Sequence, residues 1–124
     1  MPYVLTDFDA TRGIVWITIN RPEVLNAINL DVAHGLRDAV LPLAQNPDVR
    51  CVVLRGMGRA FAAGGDVARF ADDFDKSAAV IEELLESLNP VVETLRTIDA
   101  PVLGSVQGAA AGAGLSLVSM CDIV

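Results

Sequence analysis

The sequence predicts an α/β fold with buried, largely parallel strands. Three features point there: β-branched apolar runs with no polar face, apolar residues at helical spacing between those runs, and regular alternation of the two along the chain. The 124 residues suit one domain, and 52% hydrophobic against 20% charged residues is a core-forming composition.

Ile14 to Ile19 (Ile-Val-Trp-Ile-Thr-Ile) reads as the first buried strand. Asn20-Arg21-Pro22 ends it, because Pro22 has no amide hydrogen for a ladder. Asn29 is placed to cap a helix over residues 30–44, with Asp31 favourable in the first turn and Val32, Leu36, Val40 and Leu43 on one face. Asn46-Pro47-Asp48 is a turn. Cys51 to Leu54 is a second strand running into the loop Arg55-Gly56-Met57-Gly58-Arg59. Gly64-Gly65-Asp66 breaks the backbone again, ahead of a short helix to about Ala71. From Ala78 to Ile98 the stripe Ile81, Leu84, Leu88, Val91, Leu95 is helical. Pro90 predicts a kink there, or two helices with Asn89 as cap. Val102 to Val106 is a third strand, residues 108–114 a small-residue turn, and 115–120 the start of a helix. Asp122-Ile123-Val124 reads as the opening of a fourth strand.

A net charge of −7 disfavours a general attraction to nucleic acid or anionic lipid, and 5% aromatics leaves little for base stacking. Cys51 and Cys121 both lie in apolar runs and make neither a disulfide framework nor a zinc site. They read as reduced thiols of a cytoplasmic protein, and no metal is expected. The N-terminus lacks the basic and long apolar regions of a secretory signal. Residues 100–121 carry no charge, but Pro101, Ser105 and Gln107 interrupt them and no Lys or Arg anchors either end, so no membrane span is expected.

Two segments share one design, a strand entering small residues before a helix: Phe61-Ala62-Ala63-Gly64-Gly65-Asp66, and residues 107–114 (Gln-Gly-Ala-Ala-Ala-Gly-Ala-Gly). Free N–H groups at helix starts favour negative charge, and two converging on one oxygen make an oxyanion hole. Tight turns and close packing would explain either segment taken alone. A dinucleotide fingerprint fails because Leu115-Ser116-Leu117 follows Gly112-Ala113-Gly114, and a phosphate loop fails because the sole lysine, Lys76, is in no such motif.

Taken together, the motifs resemble the enoyl-CoA hydratase/isomerase (crotonase) family. The pieces are Asn20-Arg21-Pro22-Glu23-Val24-Leu25-Asn26-Ala27, then residues 58–67 (Gly-Arg-Ala-Phe-Ala-Ala-Gly-Gly-Asp-Val). The third runs from Ala100-Pro101-Val102 through Gly108 and Gly112-Ala113-Gly114 to Met120-Cys121-Asp122-Ile123. The resemblance implies a crotonase-like (ClpP/crotonase) α/β fold of repeated ββα units. Residues 1–124 would be the N-terminal part of a single acyl-CoA-binding domain whose C-terminal part is absent here.

By position, the resemblance makes Gly65 and Ala113 the two oxyanion-hole N–H donors. Ala63 aligns with the carbonyl that reads the adenine amine of coenzyme A. Glu23, Val24 and Ala27 align with the loop along the coenzyme, and Asp66 and Val67 lie near the ligand. Relatives often carry a Lys in that loop, which is lacking here; Arg21 or Arg59 could stand in, or could be ordinary surface arginines. At Ser116 hydratases of the family carry a Glu that positions water. Ser has no such basicity at neutral pH, so it either lines the acyl pocket or hydrogen-bonds substrate. The reading is an acyl-CoA-processing enzyme that stabilises a thioester enolate, with double-bond isomerisation favoured. A hydratase with a relocated acid, and a non-catalytic binding or assembly member, are the alternatives. Coenzyme A enters as part of the substrate and no separate cofactor is implied. The expected assembly is a homotrimer or a dimer of trimers. His34 reads as surface, and Glu82, Glu83 and Glu86 as a solvated helix face.

Overall fold

A computed structural model describes residues 2–64 and 74–124, with the side chains of 74–77 left undescribed. Four strands form one sheet in the order β1-β2-β3-β4: Val4–Asp9, Ile14–Ile19, Cys51–Gly56 and Val102–Ser105. The last three are parallel, as their hydrophobicity predicts. β1 was not anticipated. Asp7 and Asp9 break its apolar pattern, yet it pairs antiparallel with β2 in a hairpin, with Phe8 opposite Val15. The hairpin turn is organised by Asp9, whose carboxylate accepts the N–H groups of Thr11 and Arg12 at 3.0 and 3.2 Å and pairs with the Arg12 guanidinium at 2.7 Å.

Two crossovers join the parallel strands. The first carries α1, Leu30–Val40, capped as expected by Asn29, whose Oδ1 accepts the Val32 N–H at 2.9 Å. The helix is shorter than predicted. Pro42 offers no donor, and residues 41–45 tighten into a 3-10 turn. The second crossover carries α2, Phe74–Thr97. Pro90 lies inside this one continuous helix, so the two-helix alternative with Asn89 as cap is not realised. One lost hydrogen bond is outweighed by the stripe Leu84, Leu88, Val91 and Leu95, all buried. α1 and α2 pack on each other and bury Val15, Ile17, Ile19, Val52, Leu54 and Val102 of the sheet.

α3, Ala113–Ser119, starts two residues earlier than expected, which makes Ala113 its first residue. Beyond it, Ile123 bridges to Leu103 of β4 in parallel register, as the expected fourth parallel strand would. Asp122 fixes that entry by accepting the Val102 N–H on Oδ2 at 2.8 Å while its own N–H donates to the Val102 carbonyl at 2.7 Å.

Candidate active site

The parallel strands β2, β3 and β4 all end at the same edge of the sheet, where open α/β sheets bind ligands. Each of the three motif segments leaves one of those ends. The loop after β2 turns through Pro22–Val24, then places Leu25 and Asn26 in left-handed backbone at φ 56° and 57°. Asn tolerates that conformation; Leu rarely does. Asn26 is fully buried. Its Oδ1 accepts the Arg21 N–H at 2.8 Å, and its Nδ2 donates to the carbonyls of Met57 and Ala60 at 2.9 and 2.8 Å.

Of the expected coenzyme-loop residues, Glu23 and Val24 are exposed and Ala27 is half-buried. Arg21 turns into this loop, donating through one terminal nitrogen to the Ala27 carbonyl at 3.1 Å, with its guanidinium over the Tyr3 ring at 5.5 Å. It therefore braces the loop, whereas Arg59 is exposed. The same loop pairs with the segment after β3. The Ala63 N–H donates to Leu25 at 3.0 Å, and Ile28 donates to the Gly64 carbonyl at 2.7 Å. Among the described residues no donor reaches the Ala63 carbonyl. Gly65, Asp66, Val67 and the expected short helix to Ala71 lie outside the described residues.

The two small-residue segments lie side by side. Ala62 and Ala110 form a parallel bridge. Phe61 and Ala62 N–H groups donate to the Ala109 carbonyl at 3.1 and 3.2 Å, and Ala111 donates to the Ala62 carbonyl at 3.1 Å. Small side chains are needed for this contact. A Cβ on Gly114 would meet the Ala62 carbonyl oxygen at 2.5 Å and the Ala62 Cβ at 2.8 Å. Gly108, at φ 62°, packs directly on the Arg59 carbonyl.

At the start of α3 the Gly114 and Ser116 N–H groups find acceptors in Ala111 and Gly112, but Ala113 has none among the described residues. Ala113 and Ser116 line a pocket of about 210 Å³ with Leu85, Leu88, Val92 and Asn89 of α2. Ser116 is exposed, and its hydroxyl turns back toward the Gly112 carbonyl at 3.4 Å. A larger cleft of about 470 Å³, lined by Leu43, Asn46, Val49, Ile98 and Asp99 among others, lies at the opposite, amino ends of the strands and contains no motif residue. His34 meets Glu83 at 3.5 Å between α1 and α2, away from the motifs. Among the described residues no group of three His, Cys, Asp or Glu side chains is arranged to hold a metal, and no helix is long and apolar enough to cross a membrane.

Asn26 and Gln107 carried no role of their own in the sequence reading, and Asn89, expected at most as a helix cap, instead lines the pocket. The signal for the first two was their position, each a carboxamide amid apolar or small residues where only a buried polar task explains it. Asn89 could have been placed by helical spacing, four residues from Leu85 and one from Leu88.

A sequence profile described as Enoyl-CoA hydratase/isomerase matches residues 9–124. The chain is 37% identical over 124 residues to a Rhodobacter capsulatus protein named Probable enoyl-CoA hydratase, covering 100% of this chain and 46% of that one. It is 33% identical over 125 residues to 1,2-epoxyphenylacetyl-CoA isomerase of Escherichia coli, covering 100% of this chain and 47% of the relative. The crystal structure of an enoyl-CoA hydratase from Mycobacterium smegmatis superposes with a TM-score of 0.87 at 37% identity, covering 98% of this chain and 46% of that one. The chain thus spans less than half the length of these relatives. It belongs to the enoyl-CoA hydratase/isomerase family and has the crotonase-like α/β fold.

Proposed function

We propose that the protein carrying this chain processes an acyl-CoA thioester, holding its carbonyl oxygen between the N–H groups of Gly65 and Ala113. Donors fixed before the reaction stabilise the enolate oxygen more than the ground-state carbonyl, and so lower the barrier to removing a neighbouring proton. The observation that carries this reading is the parallel bridge between Ala62 and Ala110. It ties the two donor-bearing segments together and leaves the Ala113 N–H without an acceptor among the described residues, beside an apolar pocket. Glu23, Val24 and Ala27 lie along the coenzyme, the Ala63 carbonyl accepts from the adenine amine, and Asp66 and Val67 flank the ligand. No separate cofactor takes part.

Ser116 stands where a hydratase needs an acid, and among the described residues its hydroxyl has no partner basic enough to activate water. The favoured reaction is therefore migration of a double bond, with one carboxylate supplied from beyond residue 124. The exposed apolar side chains Ile81, Leu85, Leu115 and Ile123 fit a trimer or dimer of trimers. The free thiols of Cys51 and Cys121 fit the cytoplasm.

The intact protein, given a 3-enoyl-CoA, should raise the absorbance of the conjugated thioester and leave a 2-trans-enoyl-CoA unchanged. Loss of absorbance with the second compound instead identifies a hydratase. No change with either, alongside calorimetric binding of both, identifies a non-catalytic acyl-CoA-binding member.

A further inference from the structure

The loop after β3 is gripped from both sides by two carboxamides. Asn26 spends both Nδ2 hydrogens on it, donating to the carbonyls of Met57 and Ala60 at 2.9 and 2.8 Å. Gln107 reaches in from the segment after β4, its Nε2 donating to the carbonyls of Gly56 and Gly58 at 2.6 and 2.8 Å. Four of the five carbonyls from 56 to 60 are therefore taken by side chains that belong to the two other motif segments. The fifth, that of Arg59, is pressed against Gly108, the residue after Gln107.

This saddle feeds directly into Phe61 and Ala62, whose N–H groups bond the Ala109 carbonyl, and then into Gly64 and Gly65. Asn26 itself sits between the coenzyme-loop residues Val24 and Ala27, with its Oδ1 fixed by the Arg21 N–H. A carboxamide is suited to this task because it carries two donors and no charge. A carboxylate at either place would turn oxygen lone pairs toward carbonyls, and an apolar side chain would leave those carbonyls without donors.

We infer that Asn26 and Gln107 are positioning residues. They clamp the 56–60 loop, and with it Phe61 and Ala62, against the segment that leads to Ala113, and through Asn26 they link the coenzyme-binding loop to that geometry. This rests on the reading of Gly65 and Ala113 as the oxyanion donors. Neither carboxamide needs to touch the reacting atoms. Their effect is on the direction of a donor, and a misplacement of about 1 Å at such a donor costs on the order of a hundredfold in rate.

The test uses the intact protein and cinnamoyl-CoA, whose absorbance moves to longer wavelength when its thioester carbonyl is polarised. Coenzyme A, which has no thioester carbonyl, reports affinity for the coenzyme alone. Gln107→Met keeps the side-chain length and removes the donors; Gln107→Glu and Asn26→Asp are the second and third variants, should one of them fail to fold. The expected result is a red shift in the wild type that is at least halved in Q107M. Coenzyme A affinity stays within about twofold, and kcat falls about tenfold or more at nearly constant KM. In Q107E the shift should partly return at acidic pH, where the installed carboxyl carries a proton to donate. A wild-type red shift retained in full by the variants overturns the clamp and leaves the proposed function standing. Equal loss of coenzyme A affinity and red shift in folded variants also overturns it, because the residues would then serve general integrity. A wild type that binds cinnamoyl-CoA without any red shift overturns the oxyanion reading, and the clamp with it.

Discussion

The hydrogen atom that is the side chain of Gly114 lets two chain segments touch. Its Cα lies against the Ala62 carbonyl, and a methyl there would meet that oxygen at 2.5 Å, so backbone must move to admit it. Gly114→Ala should lower stability by about 1–3 kcal/mol in urea unfolding. It should also lower kcat by more than it raises KM, because the displaced backbone carries Ala113. A second residue gives a pH dependence. Burial, with the neighbouring Asp122 charge, pushes the Cys121 thiol above its ordinary value of 9.0. The fold thus favours the neutral thiol. That contribution is fully present below the ordinary thiol range and is lost as pH rises through the raised value, because the unfolded chain ionises first. Between pH 8 and 10.5 the urea midpoint of the wild type should fall more steeply than that of Cys121→Ala, and parallel curves would contradict the assignment.

At the scale of elements, α1 was legible because three independent signals agreed. The cap, the acidic first turn and the apolar stripe marked a helix over residues 30–44; the structure realises the cap, the first turn and the stripe as far as Val40, and only the last turn, from Leu41, departs into a 3-10 helix. Asn29→Ala removes the acceptor from the Val32 N–H and should cost about 1 kcal/mol, seen as a lower urea midpoint at unchanged slope. β1 was not legible. Its polar residues Thr6, Asp7 and Asp9 hide the strand, which exists because β2 offers it a full antiparallel partner. That is a tertiary fact which local pattern does not encode. α2 shows the reverse case, a local signal overridden. Pro90 argues for a break, but four buried apolar residues along the same face keep the helix continuous. The carboxamides of Asn26 and Gln107 were visible as letters in the motifs, but their partners lie 31 and 51 residues away in the chain, beyond the reach of spacing rules.

Across the whole molecule, the arrangement follows from strand direction. Parallel β2, β3 and β4 end at one edge, so three motifs far apart in sequence emerge at one place. Chain order predicted the parallel strands, since strands joined by helical crossovers in one sheet run the same way; that the three motifs form one site was what the family resemblance implied. What the order did not supply is the fine spacing: the Ala62–Ala110 bridge, the two-residue earlier start of α3, and the pocket between Ala113, Ser116 and α2. The antiparallel β1 extends the sheet on the edge away from β4, while β4 itself receives Ile123 on its outer side.

The most direct measurement is a crystal structure of the intact protein with an unreactive acyl-CoA thioester bound. The account predicts the thioester oxygen within about 2.7–3.2 Å of both backbone nitrogens, Gly65 and Ala113, with the acyl chain entering the pocket beside Ser116. A thioester bound with its oxygen on neither nitrogen, or those nitrogens directed away from each other with the thioester in place, would contradict it.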